Sequence, residues 1–151
     1  MKRILLLFSM LLLPGLAAAD HGMRQTSLER IVKTMATSSN GENGLVEFKF
    51  NEVRMFLISD VKHNRMRIVA PVADYLKLTR EQLDLIMQSN YHKALDARYA
   101  MSENLLYSAF IHPLAELNEA QVRSAVQQVA NLALSFGTAY SSGGLSFGSE
   151  Y

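Results

Sequence analysis

The residues in this chain best suited to hold a metal or move a proton are its four histidines, His21, His63, His92 and His112. None pairs with another at the i, i+4 spacing that puts two imidazoles on one helix face. His92 has Asp96 four residues on, a spacing that suits a helical ion pair. His112 precedes Pro113 and reads as the end of a strand. No serine sits in a Gly-x-Ser-x-Gly elbow, and no glycine-rich run follows a strand to cradle phosphate. Glu116 and Glu119 flank a helix start, where the macrodipole accounts for them. The chain has no cysteine, which excludes thiolate zinc sites and cysteine nucleophiles. One copper geometry needs a histidine in third place of a mature chain, as His21 would be after cleavage behind Ala18. Cleavage behind Ala19 puts His21 second and removes it. The residues assemble no catalytic constellation, no metal site and no cofactor site.

The start of the chain is more informative. Lys2 and Arg3 give a positive opening, and Ile4 to Leu13 is apolar except for Ser9. Pro14 and Gly15 follow, then Ala17-Ala18-Ala19 before Asp20, an A-x-A cleavage site. This is the layout of a secretory signal peptide over residues 1–19. The apolar run falls short of the ~20 residues of a membrane-spanning helix, so a stable membrane anchor is not expected. The implied location is the periplasm. Removing residues 1–19 from 151 leaves 132 residues, and losing Lys2 and Arg3 takes the formal charge from +1 to −1. That balance attracts no nucleic acid. A chain of this length can build one domain with a real core, and without disulfides its stability has to come from packing.

Three helical segments carry capping signals. Thr26 precedes Glu29 by three residues, Thr79 precedes Gln82, and Asn118 precedes Gln121. In each, an N-cap oxygen can take a free backbone N–H while the later side chain reaches back. Between the first two, Ser38 to Gly44 reads as a polar loop. Val46 to Phe50, Val53 to Ile58 and Arg65 to Ala70 read as strands, with Asn51-Glu52 a tight turn. Pro71 is expected to end the third strand. Ala97 to Met101 and Leu105 to Ile111 read as a hairpin around Ser102-Glu103-Asn104. The order is α-β-β-β-α-β-β-α, an α+β fold with an antiparallel sheet and the helices packed on one side. The single domain spans residues 20–137. Residues 138–151, rich in Ser and Gly, read as a loose C-terminal tail.

Alternation separates the two sheet faces. Val46, Phe48, Phe50, Val53, Met55, Leu57, Met66, Ile68 and Ala70 belong to the helix-covered core. The opposite face carries Glu47, Lys49, Arg54, Phe56, Arg65, Arg67 and Val69, to which Ser108, Phe110 and His112 are added by parity. Arginine and aromatic residues are enriched where partners dock. Arg54, Phe56, Arg65, Arg67 and Phe110 are therefore the candidate partner-binding residues. The second helix carries Leu83, Ile86, Met87 and Tyr91 at helical spacing, with Leu85 off that stripe. This is more apolar surface than one sheet needs, and these five residues are the candidate seam of a homodimer.

The element order, together with the segment Asn90-Tyr91-His92-Lys93-Ala94-Leu95-Asp96-Ala97-Arg98-Tyr99, resembles the YbjN-type relatives of the type III secretion chaperones, which share the Tir-chaperone fold. In that segment a helix runs into a hairpin whose second strand leads to Pro113 and a last helix from Asn118. The resemblance covers residues 26–137. It implies a small, non-enzymatic, often dimeric domain that binds another polypeptide, with the middle helix as dimer seam. Secretion chaperones are cytosolic and usually acidic, whereas this chain has an export signal and is nearly neutral. What carries over is a platform for a polypeptide. The resulting expectation is an exported, non-enzymatic, chaperone-like or regulatory protein-binding domain of the bacterial envelope. The alternative is a small periplasmic hydrolase or metal-handling protein.

Overall fold

Tight turns set the sheet. Asn43-Gly44, Asn51-Glu52 and Glu103-Asn104 all have both central residues at positive φ, between +48° and +99°, the geometry that matches the twist of a two-residue hairpin. They join β1 (Ser38–Glu42) to β2 (Leu45–Phe50), β2 to β3 (Val53–Asp60), and β5 (Arg98–Ser102) to β6 (Leu105–His112). With β4 (Arg65–Asp74) these strands form one antiparallel sheet in the order β1-β2-β3-β4-β6-β5. The computed structural model describes residues 22–144. The expected signal peptide lies outside them.

Helices α1 (Gln25–Met35) and α3 (Glu119–Leu134) cover one face of the sheet. α3 lies against α1 and across β3, β4 and β6, while α2 (Arg80–His92) sits beside β5. The fold is the expected α+β arrangement with one more strand. The stretch expected to be a polar loop is β1, whose five residues are all exposed. It owes its place to Asn43-Gly44 and to Glu29, a buried α1 carboxylate that accepts the Gly44 N–H at 2.8 Å. Gly41, in the middle of β1, stands at φ +101°, and a Cβ there would lie 2.3 Å from the Leu45 carbonyl oxygen. Gly41→Ala should therefore release β1 from β2. Amide exchange should accelerate across residues 38–42, with little change at the buried strands.

Two of the three capping boxes form as expected. Thr79 and Asn118 each accept from the residue three positions on, and the Gln82 and Gln121 side chains reach back. Thr26 caps nothing. α1 begins behind Arg24, without a side-chain cap, and its entry is held by the Met23 N–H on the Ala115 carbonyl at 3.0 Å. Pro71 does not end its strand either. β4 continues to Asp74 through a register shift between Pro71 and Ala73, a bulge of the kind that tolerates a residue without an N–H.

The core contains Phe48, Met55, Leu57, Met66 and Ile68 from the sheet and Leu28, Val126, Val129 and Leu132 from α1 and α3, all buried. Its polar exceptions are tied down. Gln128 on α3, also buried, accepts the Asp96 and Ala97 N–H groups at 2.8 and 3.1 Å and donates to the Ser124 hydroxyl at 3.0 Å. It thus fixes the chain where it enters β5.

Residues 138–144 are not a loose tail. Tyr140 and Ser142 are buried. Ser89 donates its hydroxyl to the Tyr140 carbonyl. Ser142 accepts the Leu95 N–H at 2.6 Å, and its carbonyl accepts from Asn131 at 3.3 Å. The Tyr99, Phe136 and Tyr140 rings meet edge to face, with centroids 5.5–6.2 Å apart. Residues 145–151 of the expected tail lie outside the described part.

The Tyr99 hydroxyl donates to the Leu132 carbonyl at 2.7 Å, and burial pushes its ionisation well above the ordinary tyrosine range. A raised folded-state pKa means that stability is fully present below about pH 10, where the unfolded tyrosine ionises. It falls as pH rises above that, because the unfolded state then binds fewer protons than the native one. Urea titrations between pH 8 and 11 should show this loss in the wild type and a shallower one in Tyr99→Phe.

Candidate functional site: the uncovered sheet face

Among the described residues, no element covers the face opposite the helices. Register places its residues without ambiguity. Phe56 pairs with Val69 and Val69 with Ala109, while Arg67 lies between Ile58 on β3 and Ile111 on β6. Together with Tyr107 and Ala100 these residues line a shallow groove of about 500 Å3. Ile58 and Ile111 are 40% and 59% exposed, high values for isoleucines at the middle of a sheet.

Arg54, Phe56, Arg65 and Arg67 all lie on this face, as expected from alternation. Phe110 does not. It is 5% exposed and pairs with Ile68, which puts it in the core with Ser108, while His112 pairs with Met66 on the same side. In the strand Leu105–His112 the side that carries Ser108 and His112 turns inward, so its own pattern points the wrong way. The parity slipped by one residue, and the outward residues are Tyr107, Ala109 and Ile111. Ile58 also belongs to the face, and its spacing of two from Phe56 could have found it.

The charges on the face differ in how far they are satisfied. Arg54 donates to Glu47 at 2.6 Å and stands 4.9 Å from the Phe56 ring centroid. Its hydrogen bond holds the Glu47 carboxyl below the usual carboxylate range. Asp60 is lowered likewise by a hydrogen bond from His63, whose ring nitrogen lies 2.6 Å away. Lys49 pairs with Glu52. Arg65 donates to the Asn64 carbonyl and Arg98 to the Ala97 carbonyl, both at 3.1 Å. Arg67 has neither a carboxylate nor a hydrogen-bond acceptor among the described residues.

The sheet edges offer less. On β5, the Asn90 side chain accepts the Tyr99 N–H at 2.8 Å and donates to the Tyr99 carbonyl at 3.0 Å. One amide thus occupies the outward pair of groups that an added strand would use. At the other edge, β1 is short and polar and is bent at Gly41.

Of the candidate seam residues on α2, Ile86 is 5% exposed and Leu83 packs against the core, so neither is free to meet another subunit. Leu85, Met87 and Tyr91 point away from it, with Met87 68% and Tyr91 77% exposed. Among the described residues no three His, Asp or Glu side chains are grouped to hold a metal ion, and no helix is long and apolar enough to cross a membrane. His21 lies outside the described residues.

No family model and no curated protein matches the sequence. Solved structures do match. The chain is similar to one in the crystal structure of the ExsC–ExsE complex, with 15% identity and a TM-score of 0.54 over 74% of this chain and 91% of the other. For the HopA1–SchA chaperone–effector complex the identity is 9% and the TM-score 0.56, over 74% and 90%. For the Yersinia pestis type III secretion chaperone SycH with a stable fragment of YscM2 they are 12% and 0.55, over 75% and 98%. Six strands in this order, with the helices on one side, have the fold of the type III secretion chaperones.

Proposed function

We propose that this protein is an exported, non-enzymatic, chaperone-like or regulatory domain of the bacterial envelope, which holds a segment of another polypeptide on the uncovered sheet face. The observation that carries this reading is the exposure of Ile58 and Ile111 on either side of Arg67, beside half-buried Phe56 and Val69, on a face that nothing in the described chain covers. Soluble proteins seldom leave such a strip open unless something docks there. The likeness in fold to structures solved with a bound effector or a fragment of a second protein supports the same reading. Export is supported by the signal layout of residues 1–19.

The test is capture from envelope extracts by the mature protein and by Ile111→Asp. A stoichiometric partner retained by the wild type and lost by the variant is expected. Equal retention by both would remove the face from the proposal. Intact mass should place the mature start at Asp20 in the periplasmic fraction, whereas protein retaining Met1 in the membrane would overturn export.

The homodimer belongs to the same proposal. Its seam is the outward side of α2, where Leu85, Met87 and Tyr91 are exposed. Sedimentation at micromolar concentration should give a dimer, and Met87→Glu a monomer of unchanged helicity. A wild-type monomer would leave each face to act alone.

A further inference from the structure

We infer that the segment held on this face carries an Asp or Glu side chain that pairs with Arg67, flanked two residues away on each side by apolar residues. The inference rests on the reading just given and adds the chemistry of the occupant.

Arg67 sits at the middle of the strip, opposite Ile58 on one side and Ile111 on the other. Any segment that covers those isoleucines also covers the guanidinium between them. A guanidinium removed from water without an anion is strongly unfavourable. The face cannot supply that anion, since Glu47 is engaged by Arg54 and Asp60 by His63. The remaining cations, Lys49, Arg54, Arg65 and Arg98, all have partners, leaving the face positive with Arg67 unpaired among the described residues. The occupant has to bring the carboxylate. An extended chain presents every second side chain to one surface, so the groups that meet Ile58 and Ile111 stand at positions two before and two after the acid. A planar guanidinium can take that carboxylate with two parallel hydrogen bonds.

The experiment uses the mature protein and three fluorescein-labelled peptides, Leu-Thr-Val-Thr-X-Thr-Val-Thr-Leu with X as Asp, Asn or Lys, read by anisotropy. The Asp peptide should bind about tenfold more tightly than the Asn peptide, the factor expected of one charge-assisted pair, and the Lys peptide more weakly still. Arg67→Gln, an exposed change checked by circular dichroism, should erase that preference, and Ile111→Asp should weaken all three. Equal binding of the three peptides, all lost in Ile111→Asp, would overturn the acidic requirement and leave the face as the binding surface. Capture of the envelope partner undiminished in Ile111→Asp would defeat both. Binding only to phosphatidylglycerol vesicles, or a dimer split by Ile111→Asp, would overturn the inference by giving the face to lipid or to a second copy.

Discussion

Phe48→Ala is expected to cost about 3–5 kcal/mol, a large part of the stability of a domain this size. The Phe48 ring comes from β2 and is 2% exposed in the core beneath α1. Its removal loses the transfer free energy of the ring and leaves a cavity that close-packed neighbours cannot fill without moving. Urea unfolding measures the change directly. Arg67→Ala, on the opposite face of the same sheet, should stay within about 0.5 kcal/mol. A loss below about 1 kcal/mol for Phe48→Ala would mean that the core closes over the gap.

Gln128→Leu is expected to cost about 2–4 kcal/mol, although it makes the interior more apolar. The side chain is the acceptor for the backbone N–H groups of Asp96 and Ala97, and both lose their partner at once. An unsatisfied buried donor costs about 1–3 kcal/mol, and leucine offers no acceptor in its place. Gln128→Glu keeps the acceptor and should recover part of the loss. If the leucine variant matched the wild type in urea, solvent would have to reach both N–H groups.

Much of this architecture is legible in the chain. Alternation from Val46 to Ala70 assigns the buried face of three strands, because short hairpins lock each register to the next, β2 to β3 through Asn51-Glu52 and β3 to β4 through the four residues 61–64. That chain of inference breaks at α2. The connection from Asp74 to Arg98 carries no register, and in Leu105–His112 the polar Ser108 and His112 share a side with Phe110, so parity points Phe110 outward although it pairs with Ile68. β1 is illegible for the opposite reason. Ser-Ser-Asn-Gly-Glu has no strand propensity, and only Asn43-Gly44 signals the hairpin. Residues 138–144 show the limit of composition. Ser and Gly there suggest a linker, yet their hydroxyls and carbonyls find partners that no local pattern indicates. The uncovered face is half legible, since Arg54, Phe56 and Arg67 follow from parity while Ile111 depends on a pairing fixed only in three dimensions.

Under the proposed function, the Asn90 amide on Tyr99 bears on how long a guest would stay. A guest added as a new strand is held by a row of main-chain hydrogen bonds that must be peeled away in sequence. Here one end of the row at β5 is already filled, and β1 is interrupted by a residue at φ +101°. A guest on the open face keeps its peptide groups in water and is gripped by side chains alone. Its departure needs no unzipping, so its residence is short and, through Arg67, sensitive to ionic strength. Under the proposed function, such a protein would hand a polypeptide on rather than store it.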